Sequence, residues 1–124
     1  MSERNLIAIS IKHTLYDAPG GKKWKFGMPF VLWGNGRTKD EEKRSFSGYT
    51  RYLNEAELYS LLDWKNECSY APWMKIDEPV KMSADMCKMY KQFDTVLVLL
   101  EDMKKYYSVA GLHVERPYEE KYIW

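Results

Sequence analysis

Residues 6–11, Leu-Ile-Ala-Ile-Ser-Ile, constrain the fold of this chain more than any other stretch. Three isoleucines and a leucine stand within six positions, and β-branched side chains are stiff at χ1 and suit a pleated surface. The run is apolar at positions of both parities, so it has no wet face. That pattern predicts a central strand that ends at Lys12-His13-Thr14.

The rest of the first half supplies further strand-like pieces. Asp17 to Gly21 is turn-forming by composition, with Pro19, Gly20 and Gly21. Residues 22–26 alternate charge and ring, as a strand with one wet face does. Gly27-Met28-Pro29 predicts a bend, after which Phe30–Trp33 resumes the strand. Gly34-Asn35-Gly36 opens a charged loop through Lys39-Asp40-Glu41-Glu42-Lys43-Arg44, read as solvated. Phe46–Leu53 is expected as a third strand carrying Gly48-Tyr49-Thr50-Arg51.

The second half reads as mostly helical. Asn54 and Glu57 have capping-box spacing, and Leu58, Leu61 and Leu62 share a face of a helix expected to fade near Glu67. Residues 69–82 hold Pro72 and Pro79, with a short extended piece expected at Val80. Ser83 is a second cap candidate, and Met86, Met89, Tyr90 and Phe93 mark the face of a second helix. Residues 94–99 are taken as a buried strand, the alternative being a helix continuing into residues 101–107. A last helix should end at Gly111. The tail from Leu112 is aromatic and charged, and Ile123-Trp124 is expected to dock on the body or on a second copy. The plan is α+β in a single domain over residues 1–124: a mostly antiparallel sheet from the N-terminal half with two to three helices packed on it.

Composition narrows the function classes. With 45% hydrophobic and 30% charged residues the chain fits a soluble globular protein. Residues 1–53 hold ten Lys/Arg against five Asp/Glu, and residues 54–124 nine against thirteen, so +5 faces −4. That polarity favours an anionic ligand on the first half, or self-association into a homo-oligomer, and is too weak for a duplex-DNA binder. Cys68, Cys87, His13 and His113 stand singly, without metal-ligand spacing, so no metal site is expected. Gly34-Asn35-Gly36 lacks a following helix start, and Gly20-Gly21 suits a hairpin, so no phosphate loop is expected. No signal peptide is visible, and the apolar run Val96–Leu100 is too short to span a membrane. Reduced cysteines and a cytoplasmic setting follow as expectations.

Aromatic residues are 15% of the chain, with ten Tyr and five Trp, and they crowd the strand-like segments. Rings with polar tips favour places where one side is dry and the other meets a partner. Any single ring is more often packing than site. Together with nearby hydroxyls and cations, however, such rings form a surface for a flat, charged molecule or for a protein. His13 and Thr14 offer hydrogen bonds near neutral pH. Gly48 permits close approach, Tyr49 suits stacking on a base, and Arg51 suits phosphate. Thr50 is on the opposite face from Tyr49 and Arg51. Tyr59, expected just inside the first helix, could sit over the same sheet end.

The order Ile11-Lys12-His13-Thr14, Trp33, Gly48-Tyr49-Thr50, then Ala56, Tyr59 and Ser60, resembles small uncharacterised proteins of phages and prophages. The likeness covers the first half of the chain, and each motif is short. Many such proteins counter host defences, some by sequestering cyclic-nucleotide or ADP-ribose-derived signals and others by blocking a nuclease. The resemblance implies contact roles for His13, Thr14, Trp33, Tyr49, Thr50 and Tyr59 inside a bacterial host cell. It brings no catalytic motif and no cofactor.

The leading expectation is therefore a non-enzymatic binding protein for a small nucleotide-like signal. Trp33 and Tyr49 would stack on a base. His13, Thr14 and Thr50 would bond ribose or base edges, and Arg51 with Lys12 or Lys25 would neutralise phosphate. The alternatives are a protein inhibitor of a host defence nuclease, and a small nucleotide-cleaving enzyme with His13 as acid or base.

Overall fold

The first strand, β1 (Leu6–Ser10), is buried along its whole length because both faces of its sheet are covered. The structure, a computed structural model, describes residues 3–16, 22–34, 36–38, 43–68, 74–75 and 77–115. The remaining strands are β2 (Leu32–Trp33), β3 (Tyr49–Thr50), β4 (Met74–Lys75) and β5 (Thr95–Leu99). Their order across the sheet is β3-β2-β1-β5-β4. Pairing is antiparallel except between β4 and β5. The α+β class stands, with β1 central as expected. The late strand from residue 95 is its longest partner, running from Leu6 opposite Leu99 to Ser10 opposite Thr95.

Period-two alternation sorts the core into two layers. Ile7, Ile9, Val96 and Val98 face α4 (Leu100–Ala110) through Met103, Tyr106 and Tyr107. Leu6, Ala8 and Leu97 face α2 (Leu61–Cys68) through Trp64. The shorter helices are α1 (Ile11–Tyr16) and α3 (Met86–Met89), whose Met86 and Cys87 enter the first layer. Burial pushes the Cys87 thiol up to about 12, so it behaves as a small apolar side chain and not as a nucleophile.

Several local expectations change. The first strand ends at Ser10, and residues 11–16 turn directly into a helix, because the Ser10 hydroxyl accepts from the His13 N–H at 3.2 Å. Residues 22–26 form no strand. Phe26 makes only an isolated bridge to Met28, and Trp24 and Phe26 pack on Phe30 and Tyr106. The Tyr106 hydroxyl donates to Met28 O (2.6 Å) and accepts from Gly27 N–H (2.8 Å), which ties this bend to α4. The third strand is only two residues long and gives way to a 3-10 turn at Leu53–Glu55. Val80 is extended enough for its N–H to donate to Leu97 O (2.8 Å). As expected, α4 ends at Gly111, whose φ of 69° is the left-handed conformation that lets its N–H reach Ser108 O and Tyr107 O. Residues 17–21 and 116–124, including Ile123-Trp124, lie outside the described residues.

The helix expected from Asn54 begins at Leu61, because the reciprocal cap is Ser60 with Asp63. Ser60 N–H donates to Asp63 Oδ2 (2.8 Å) and Asp63 N–H donates to Ser60 Oγ (3.1 Å). Arg4 adds bonds to both carboxylate oxygens, at 3.1 and 3.3 Å. Burial raises the Asp63 pKa, but the bonds from Arg4 and Ser60 outweigh it and hold the group below its ordinary 3.8. A lowered folded-state pKa adds stability that is complete above the unfolded value and is lost as pH falls through the folded one. Asp63→Asn should therefore lower stability by about 1 kcal/mol near neutral pH, the scale of a lost cap, with the deficit closing toward about pH 2. Urea melts at both pH values check this, and an equal deficit at both would remove the carboxylate from the explanation.

Candidate functional site

Antiparallel pairing of β1 with β5 places Ser10 beside Thr95, at the sheet end where α1 begins. Trp33 and Tyr49 are directly paired across β2 and β3, so both project to the α2 side of the sheet. Their rings lie 5.0 Å apart, and the His13 ring sits 4.4 Å from Tyr49. All three are half-buried. Rings from three separate segments thus meet at one sheet corner.

That corner continues inward as a run of edge-on contacts. Trp33 meets Trp64 at 5.4 Å, and Trp64 meets Phe46 and Tyr59 at 5.1 and 5.2 Å. The outer rings therefore rest on buried ones, which limits their motion and makes them firm platforms.

A polar relay leads outward. Trp33 Nε1–H donates to Thr95 Oγ1 (2.9 Å), and Thr95 Oγ1–H donates to Asp94 Oδ2 (3.1 Å). Burial, and secondarily the Asp94 charge, raise the Tyr49 phenol above its ordinary value, so it stays a neutral hydroxyl. Asp94 also lines an open groove of about 920 Å³ with Lys12, Lys88, Lys91, Gln92 and Phe93.

The other expected contact residues are turned inward. Thr14 is fully buried, its hydroxyl donating to Ser10 O (2.6 Å) and accepting from Val31 N–H (2.9 Å). Thr50 is fully buried, donating to Glu55 Oε2 and accepting from Tyr52 N–H, each at 3.1 Å. Arg51 is 6% exposed, and its carbonyl accepts from the Tyr107 hydroxyl at 2.8 Å. Tyr59 lies in the core and donates to Ser45 O, and its backbone bridges to Leu6. The side chains of Thr14, Thr50 and Tyr59 serve the fold by bonding nearby backbone, and that of Arg51 is buried with them. Of the expected set, His13, Trp33 and Tyr49 are brought together and remain accessible. Lys12 lines the groove, whereas Lys25 belongs to the segment packed toward α4.

Glu57 is a second surprise. Its carboxylate is buried and organises the loop before β3, accepting from Thr38 N–H (3.0 Å), Ser45 N–H (3.2 Å) and Arg44 Nη1 (3.2 Å). Arg44 is accordingly drawn in from the stretch read as solvated, with its side chain 9% exposed. Residues 39–42 of that stretch lie outside the described residues. Gly34 makes this possible: its φ is +85°, and a Cβ there would stand 2.4 Å from Glu57 Cβ. Gly34 is thus a packing device, and Asn35 lies outside the described residues.

The groove cations Lys88 and Lys91 and the acceptor Asp94 escaped sequence reading. Their only signal was the outward spacing of Lys88 and Lys91 opposite the Met86 and Cys87 face. No local pattern reveals that α1 lies across from them. Among the described residues no group of three or more His, Cys, Asp or Glu is arranged to hold a metal ion, and no helix is long and apolar enough to cross a membrane. Comparisons with protein-family models, curated proteins and solved structures find no match to this chain.

Proposed function

We propose that this protein binds and holds a small, anionic, ring-bearing molecule of the nucleotide class without altering it, in the manner of a phage anti-defence sponge. The observation that carries the reading is the meeting of His13, Tyr49 and Trp33 in a half-buried ring cluster beside a groove lined by three lysines. Rings give a stacking surface indifferent to base identity, and ammonium groups give charge. Retention needs only these, with no paired acid and base.

The test is capture and release. The protein is incubated with cyclic dinucleotides and cyclic ADP-ribose isomers, freed of unbound ligand, heat-denatured, and its supernatant analysed. Intact ligand in the supernatant is the expected result. Altered ligand would replace binding by catalysis, with His13 the first residue to substitute. No depletion at all would shift the reading to protein binding, for which the exposed Phe26 and Val109 beside Tyr106 provide an apolar surface. Tyr49→Ala should weaken capture about tenfold or more, the loss of one base–ring stack, while leaving the melting curve close to that of the parent protein. Unchanged affinity in that variant would place the ligand elsewhere.

A further inference from the structure

The groove beside the rings has an uneven charge. Lys12 comes from α1, Lys88 from α3, Lys91 from the turn after it, and Asp94 from the residue that precedes β5. Three ammonium groups against one carboxylate leave +2, which complements a ligand with two negative charges.

Asp94 is the informative member, because a carboxylate in a phosphate site opposes binding unless it meets a donor. It is held on both sides. Its backbone carbonyl accepts from Ile11 N–H (2.8 Å), and its Oδ2 accepts from the Thr95 hydroxyl, which is itself fixed by Trp33. A carboxylate accepts only, and one bond from Thr95 leaves most of its lone-pair sites open. Its charge is felt at Tyr49, so it stands near the stacking surface. Guanine carries adjacent N–H and NH₂ donors on its Watson–Crick edge, a fork that matches two carboxylate oxygens. Adenine offers one amino group beside a ring nitrogen whose lone pair would face the carboxylate.

We infer that the groove between α1 and residues 88–94 is the polar subsite for a doubly charged guanine nucleotide, with Lys12, Lys88 and Lys91 taking the phosphates and Asp94 the guanine edge. The inference rests on the capture reading of the ring cluster and adds to it a base and a charge.

Calorimetric titration of the full chain with cyclic diguanylate, cyclic diadenylate and cyclic GMP tests it. Cyclic diguanylate should bind about tenfold or more tighter than cyclic diadenylate, the discrimination expected of one two-pronged base contact. It should also bind more tightly than the singly charged cyclic GMP. Asp94→Asn keeps an acceptor for Thr95 but loses the fork, so it should erase the preference between the two dinucleotides. Lys88→Gln combined with Lys91→Gln, both exposed positions, should weaken both dinucleotides alike and flatten the salt dependence. Equal binding of the guanine and adenine forms would overturn the inference while leaving capture intact. So would a preference that survives Asp94→Asn, or affinity untouched by the lysine changes. Absence of binding by all three probes, together with no capture from the wider panel, would instead sink the capture reading itself and this inference with it.

Discussion

Glu57→Ala should cost about 3–5 kcal/mol of folding stability, the scale for removing one partner of a buried ion pair. A domain of this kind has only about 5–15 kcal/mol in total, so the variant should unfold at a much lower urea concentration. The Glu57 side chain is 1% exposed and its partner Arg44 9%. Removal of the carboxylate leaves the Arg44 guanidinium short of its counter-charge in a low-dielectric setting. It also strips the acceptor from the N–H groups of Thr38 and Ser45, which are bonded at 3.0 and 3.2 Å. Loss of an acceptor shared by two partly buried N–H groups adds to that cost. Glu57→Gln should be milder, because one oxygen remains to accept while the new NH₂ faces other donors. Adding Arg44→Ala to Glu57→Ala should cost less than Arg44→Ala costs alone, since the charge it removes no longer has its partner. A loss below about 1 kcal/mol for Glu57→Ala would mean that water reaches the carboxylate and that the loop does not depend on it.

Trp64→Ala should destabilise by a similar amount, about 3–5 kcal/mol, through a large cavity between α2 and the sheet. Trp64 has no exposed surface and packs with Leu6, Ala8, Leu97 and Met74. Its ring meets those of Trp33, Phe46 and Tyr59 edge-on. The indole Nε1 is buried and, among the described residues, has no hydrogen-bond partner. Trp64→Phe therefore removes an unmet donor along with some volume, and should lose far less than the alanine variant. Equal melting of the two variants would show that the site collapses freely and that this layer is not close-packed. Because Trp64 supports Trp33, the alanine variant should also weaken the near-ultraviolet circular dichroism of the ring cluster, and any captured ligand with it. That couples the stability of the α2 layer to the proposed site through the contact of Trp64 with Trp33.

The capping residues show how far local reading extends. Asn54 and Glu57 have the spacing of a capping box, yet Ser60 and Asp63 have it too, and the structure uses the second pair. Both pairs satisfy the local chemistry of a helix start. What separates them is that Glu57 is drawn into the core by Arg44 and the residues around Ser45, and that Tyr59 pairs with Leu6. Spacing alone could not rank them. The same reason explains the inward turn of Thr14 and Thr50. Their residue types suit a ligand, but a backbone group freed by a nearby turn is closer than any ligand and takes the bond first.

The site shows a similar division. Trp33 and Tyr49 were legible because ring-rich alternating segments tend to pair, and their cross-strand contact is a two-residue matter. Of the groove lysines, Lys12 was legible from the sequence, but Lys88 and Lys91 were not. Charge counted along the chain pointed to the basic first half, whereas Lys88 and Lys91 belong to the acidic second half.

Residue order by itself determined the strand character of residues 6–10, the alternation that splits the core into two layers, and the end of the last helix at Gly111, and it favoured a strand over a continued helix at residues 94–99. Each of these depends on side chains within a few positions of one another, where sterics and periodicity act alone. Only the tertiary structure decided that Ser10 lies beside Thr95, that α1 therefore faces residues 88–94, and that Glu57 is a buried anchor and not a cap. The first two depend on the pairing of segments from opposite ends of the chain, and the third on Thr38, Arg44 and Ser45 folding back over Glu57; each gains free energy only once the tertiary structure closes and water is excluded.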